Sequence, residues 1–186
     1  MLGGHIPQHG HAAAPDAPPA WICAGSAPSD YVMGVDHRIA HTGKGSGFLR
    51  SRGSRPAGFG ALMQTVDAER YHGRRMRLRA WVKTRGVKEW AGVWMRVESR
   101  DPDRPLAADF MQARPIQGTT DWTPYDVVLD VAPEATRIAL GLLLDGRGWA
   151  WIDDIGFEEV DASVPTTGGS DALVTSPSPW NLNFEK

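Results

Sequence analysis

The chain has 186 residues, 41% apolar and 23% charged, with a formal net charge of −2. That balance suits one globular domain with tails, and it excludes a disordered polymer and the basic footprint of a dedicated nucleic-acid binder. The single cysteine, Cys23, leaves no internal disulfide framework and no cysteine-rich metal site. The longest apolar stretch, Ile138 to Leu144, is broken by Gly141 and falls far short of the ~20 residues of a membrane-spanning helix.

Residues 1–20 combine Gly, Pro, Ala and His with almost no large apolar side chains, so a flexible N-terminal arm is expected, with His5, His9 and His11 as spacers. Neither a basic leader nor an apolar leader core is present there, which sets the expectation of a cytoplasmic protein with no membrane partner. From residue 21 to 160 short apolar runs alternate with Gly, Pro, Asp and Ser/Thr clusters, the text of strands and turns. A strand near 31–35 leads to a glycine-rich turn at 43–47, and a further strand is expected near 58–65. Residues 66–73 suit a single helical turn capped by Asp67 and closed by Gly73.

The clearest alternation follows at 76–83, where Met76, Leu78, Ala80 and Val82 share one face while Arg75, Arg77, Arg79, Trp81 and Lys83 share the other. Val93, Met95 and Val97 repeat the pattern against Trp94 and Arg96. Further strands are expected near 106–111, 125–131, 138–144 and 149–159. About eight strands without intervening helices predict an all-β fold, an antiparallel two-sheet β-sandwich of the jelly-roll kind. Residues 161–179 read as a Pro/Ser/Thr/Gly linker, and in 180–186 Trp180, Leu182 and Phe184 alternate with Asn181, Asn183 and Glu185 as a docking strand would. Docked in cis that strand gives a monomer; docked in trans it gives a strand-swapped homo-oligomer.

Eight tryptophans against three tyrosines direct the search for a site. Trp81, Trp94 and Arg96 form an out-facing set suited to stacking on sugars or other planar ligands. Gln64, Asp109 and Met111 would join them if their strands are neighbours, and Arg114 is a further candidate from the loop before Pro115. The structural alternative is a buried Arg96–Asp109 ion pair with the tryptophans as filling. A non-catalytic module for a glycan or other polar ring-bearing small molecule is therefore expected, requiring no cofactor. The competing expectation is a small enzyme on the same face, with Asp109 as general acid/base, Arg96 stabilising charge, and His41 and Asp36 assisting. No hydrolase elbow, zinc-protease helix motif, P-loop or dinucleotide fingerprint is present. The arginine run Arg74, Arg75, Arg77, Arg79 reads as a solvated outer strand face rather than a nucleic-acid site.

The run GFGALMQTVDAERYHGRRMRLRAWVKTRGVKEWAGVWMRV, the stretch from Asp109 through RPIQGTTDW to VVLDV, and WAWIDDIGFEEV together resemble a bacterial carbohydrate-binding-module-like, galactose-binding-like jelly roll. Such modules are found fused to tail-specific serine peptidases and transcriptional regulators. The resemblance spans Trp21 to Val160 and implies the fold; an activity must come from a site. It also implies that Asp153 or Asp154, in the last strand of the domain, could help hold a structural calcium ion. Local hydrogen bonding of the two carboxylates is the alternative. In tandem modules of this kind an Asn-Leu-x-Phe-Glu strand opens the domain, whereas here Asn181 to Glu185 follows a linker.

Overall fold

A computed structural model describes residues 20–168 except residue 102. Nine strands carry the fold: β1 (Ile22–Gly25), β2 (Tyr31–Asp36), β3 (Ser46–Ser51), β4 (Phe59–Asp67), β5 (Arg75–Glu98), β6 (Ala107–Asp109), β7 (Ile116–Asp130), β8 (Arg137–Asp145) and β9 (Trp149–Glu159). Every pairing between them is antiparallel. Among the described residues no helix is long and apolar enough to cross a membrane. The arm up to residue 19 and the expected docking strand at 180–186 lie outside the described residues.

The expected β-sandwich is present, and β5 is its spine. Its first half, Arg75 to Arg85, pairs with β7 on one side and β9 on the other, and β9 continues through β3 to β2. Its second half, Trp90 to Glu98, pairs with β8, which continues through β4 to β1, while β6 covers the other edge. We call these layers sheet one and sheet two. The two strands expected at 76–83 and 93–97 are thus one strand that leaves one sheet and enters the other. The bend lies where the register against β7 slips between Val82 and Thr84, again before Val87, and again before Ala91. Gly86 takes a φ of +62° there, a conformation that costs glycine little. These irregularities also reverse the parity of the strand.

Before the bend the even-numbered Met76, Leu78, Ala80 and Val82 are buried in the main core; after it the odd-numbered Val93, Met95 and Val97 are. Leu49, Leu62, Leu129, Leu142, Leu144 and Ile152 complete that core between the sheets. Each such side chain contributes roughly 1.5–3 kcal/mol on burial. Gly141, which interrupts the apolar run of β8, is required by space: a Cβ there would lie 1.9 Å from the Leu62 carbonyl oxygen.

Two strands had no counterpart in the sequence reading. β1 has only four residues, and β3 begins inside the glycine-rich stretch taken as a turn, where Gly47 already pairs with Ile152. The expected helical turn is a single 3₁₀ turn, Glu69–Tyr71, with the Glu69 N–H donating to Asp67 Oδ1.

Candidate functional site

The outer face of sheet one is organised in cross-strand rungs. Trp149 of β9 lies opposite Arg50 of β3 on one side and Arg85 of β5 on the other. In the next rung Trp151 lies between Phe48 and Lys83, and in the one after that Asp153 lies opposite Trp81. Because side chains alternate along a strand, these residues project away from the core formed by Ala150, Ile152, Val82 and Leu49.

The two indoles stack with centroids 5.4 Å apart and planes 17° from parallel, and Phe48 lies 5.8 Å from Trp149. The guanidinium of Arg50 sits 5.0 Å from the Trp149 ring centre, and that of Arg85 sits 4.8 Å from Trp149 and 5.4 Å from Trp151, within cation–π range. Trp151 is the buried floor; Phe48 and Trp149 remain partly exposed.

Asp36, at the end of β2, holds the floor in place by accepting the Trp151 indole N–H at 3.0 Å. Its other oxygen accepts the backbone N–H groups of Arg38 and Ile39. Partial burial works to raise this carboxyl, but the hydrogen bonds from Arg38, Trp151 and Ile39 outweigh it and hold it below its ordinary value.

Trp81 is separated from this cluster by a latch. The loop after β2 brings His41 onto Trp81 with ring centres 3.9 Å apart, and the Trp122 ring meets His41 edge-on. The His41 ring bonds Asp154 through Nδ1, and Thr42 donates its hydroxyl to the same carboxylate. Those two bonds lower the Asp154 pKa. Asp153 accepts the backbone N–H groups of His41, Thr42 and Asp154. Both carboxylates are thus engaged in local hydrogen bonding, with Asp154 at a φ of +47°. Among the described residues no three His, Cys, Asp or Glu side chains are grouped to hold a metal ion. His41 pairs with Asp154 and not with Asp36.

The remaining expected residues are dispersed by the bend in β5. Trp94 and Arg96 do face away from the main core, but on the outer side of sheet two, across the sandwich from Trp81. Trp94 is 0% exposed within a second apolar cluster with Ala61, Met63, Ala139 and Leu143, and Phe110 stacks on it at 5.7 Å. Arg96 is buried against Glu98, whose other oxygen lies 3.2 Å from Arg137 Nε.

The Arg96–Asp109 pair offered as the structural alternative does not form; two separate pairs stand in its place. Asp109, on β6 opposite Met95, accepts Arg114 Nη2 at 2.6 Å and the Met111 N–H at 2.8 Å. Arg114 also donates to the Asp126 carbonyl, fastening β6 to β7. Met111 is buried in the main core, and Gln64 sits half-buried in register with Leu140, on the core-facing side of β4. The sequence reading passed over Trp149 and Trp151, although the Trp-Ala-Trp alternation of β9 was visible. Arg50 lies between the turn expected at 43–47 and the strand expected at 58–65, in a stretch assigned to no element, and Arg85 continues the alternation that was followed only to Lys83.

No protein-family model matches the chain. Among curated proteins it is 43% identical over 167 residues to an uncharacterized HTH-type transcriptional regulator, YbfP, of Bacillus subtilis (strain 168). That match takes in 89% of this chain but spans only 56% of the regulator's length. Among solved structures the chain is similar to the CBM22-1 xylan-binding domain of Xyn10C from Paenibacillus barcinonensis, with a TM-score of 0.56 at 15% identity, covering 79% of this chain and 90% of that one. It is similar also to the Stig cyclase Fisc from Fischerella sp. TAU, with a TM-score of 0.56 at 17% identity, covering 84% and 92%. Further neighbours include other carbohydrate-binding modules. These structural likenesses establish the β-sandwich fold.

Proposed function

We propose that this chain is a non-catalytic carbohydrate-binding module whose ligand stacks on the partly exposed surface of Trp149 and Phe48. The observation that carries this reading is the cluster itself: a tryptophan and a phenylalanine kept partly exposed side by side on a rigid sheet, over a buried indole floor. Flat aromatic faces suit the apolar faces of sugar rings, and strands hold them more exactly than loops do. The similar solved structures include a xylan-binding domain and a module in complex with β-1,4-galactotriose, which supports a glycan as the ligand class.

The carboxylate against the cluster, Asp36, accepts three hydrogen bonds and is held ionised, so it serves to position Trp151 rather than to deliver a proton. The likeness to an HTH-type regulator supports a sensory role, in which sugar binding here is the input to a larger protein.

The test is a titration of the parent and of Trp149→Ala with neutral oligosaccharides, read by calorimetry and by tryptophan fluorescence. Removing one stacking face should cost about 1–1.5 kcal/mol of binding, roughly tenfold in affinity, with the melting temperature little changed. A Trp149→Ala protein that binds as tightly as the parent would move the site elsewhere.

A further inference from the structure

On the outer face of sheet one, four of the six basic side chains carried by its strands have an acid of their own. Arg75 pairs with Asp130, Arg77 with Glu158, Arg79 with Asp126 and Lys83 with Asp121. Arg50 and Arg85 break this pattern. Among the described residues neither has a carboxylate partner; the hydrogen bond of the Arg50 guanidinium runs at 3.5 Å to the Ser51 carbonyl. Both nevertheless converge on one indole from the strands on either side of it, 5.0 and 4.8 Å from its centre. Asp36, the carboxylate against the Trp151 floor, is turned to Trp151 and to backbone N–H groups instead.

Two like charges held around one ring repel each other, and the ring's attraction for a cation offsets this only in part. The same face elsewhere shows that this sequence readily supplies a carboxylate to a strand arginine. Around Trp149 it does not, and the fork-shaped donors of both guanidiniums stay available for an oxyanion.

We infer that the ligand of this cluster is an anionic sugar, whose ring lies on Trp149 and whose carboxylate or phosphate group is received by Arg50 and Arg85. This rests on the carbohydrate reading given above and adds the charge of the ligand to it. The anion would supply the partner that the two arginines lack, which makes discrimination against neutral sugars a property of the charge that Arg50 and Arg85 place around Trp149.

The experiment compares calorimetric affinities for four probes: β-1,4-galactotriose, trigalacturonate, a hexose 6-phosphate and inorganic phosphate. The proteins are the parent, the Arg50→Gln/Arg85→Gln double variant, and Arg77→Gln as a control from the paired region. In the parent, one of the two acidic sugars should bind at least tenfold more tightly than the neutral one, and which of them does so identifies the anion as carboxylate or phosphate. That preference should fall to near unity in the double variant, survive in Arg77→Gln, and shrink as salt rises.

Inorganic phosphate should bind far more weakly than a sugar bearing the same group. Equal affinity for neutral and acidic sugars in the parent, or a preference that persists in the double variant, would overturn the inference while leaving the stacking site standing. Binding of none of the sugars, or of phosphate alone, would remove both readings together. A single-stranded oligonucleotide that outcompetes every sugar at this cluster would overturn the assignment in favour of a nucleic acid.

Discussion

Two stretches of one sheet face handle positive charge in opposite ways. At one end of β5, Arg75, Arg77 and Arg79 each meet a carboxylate on the neighbouring strand, at 2.7 Å for Arg75 and Arg79. Their stems cover apolar surface, and their charges are neutralised in place. Further along the same face, past the Trp81 latch, Arg50 of β3 and Arg85 in the middle of β5 flank Trp149 with no acid assigned to them. A strand register can pair charges or leave them open, and on this face it does both within a few rungs. The difference separates a region made for the fold from one suited to a partner.

The largest effect on stability is expected at the floor of the open cluster. Trp151→Ala removes a buried indole and its bond to Asp36, and should cost about 3–5 kcal/mol in chemical denaturation along with the ligand site. A loss below ~1 kcal/mol would show that the cluster is a surface ornament without structural support.

The paired region should respond far less. Arg77→Ala, Glu158→Ala and the double change should reveal a coupling of about 0–1 kcal/mol that fades in high salt, with sugar binding untouched. A change in binding from these variants would erase the distinction between the two regions.

Acid should act on the latch and the floor, alongside Asp121, Asp130 and Asp161, whose carboxyls are also held below their ordinary value. Asp154 and Asp36 are both held below their ordinary value in the folded protein. Their stabilising contribution is therefore complete above about pH 4, the ordinary carboxylate range, and is lost as pH falls through the lowered folded values. Melting temperatures should be level from neutrality to mild acid and then decline. Asp154→Asn should decline less steeply than the parent, and an identical slope would mean that the latch carries none of the acid sensitivity.

The smallest effect on folding belongs to the open arginines. Arg50→Gln/Arg85→Gln should shift stability by only a few tenths of a kcal/mol, in the range of ordinary surface substitutions. A marked loss would make their role structural.

The fold was legible wherever one face of a strand is buried and the other is wet. Met76 to Val82 alternate in the text because they alternate in space, whereas β8 is buried on both faces and showed itself as an apolar run broken only by Gly141. The bend in β5 was not legible, because a parity reversal depends on register slips against β7, a strand some thirty residues further along the chain. For the same reason Trp81 and Trp94, both read correctly as turned from the main core, are on opposite sides of the sandwich. Nor could the text show that Trp94 and Arg96 are covered: Phe110 and Glu98 do this through packing and pairing. Trp149 and Trp151 stood in plain alternation, but their arginine neighbours come from β3 and β5, and only the sheet order makes them adjacent.

The most direct measurement follows the indole N–H resonances of the eight tryptophans during titration with an acidic oligosaccharide, with Trp149 assigned through Trp149→Phe. Saturable shifts of Trp149, with smaller ones at Trp151 beneath it and none at Trp94, are the result expected of a sugar stacked on the open cluster. Shifts at Trp94 or Trp81 with Trp149 unmoved would place the ligand on another surface and contradict the site described.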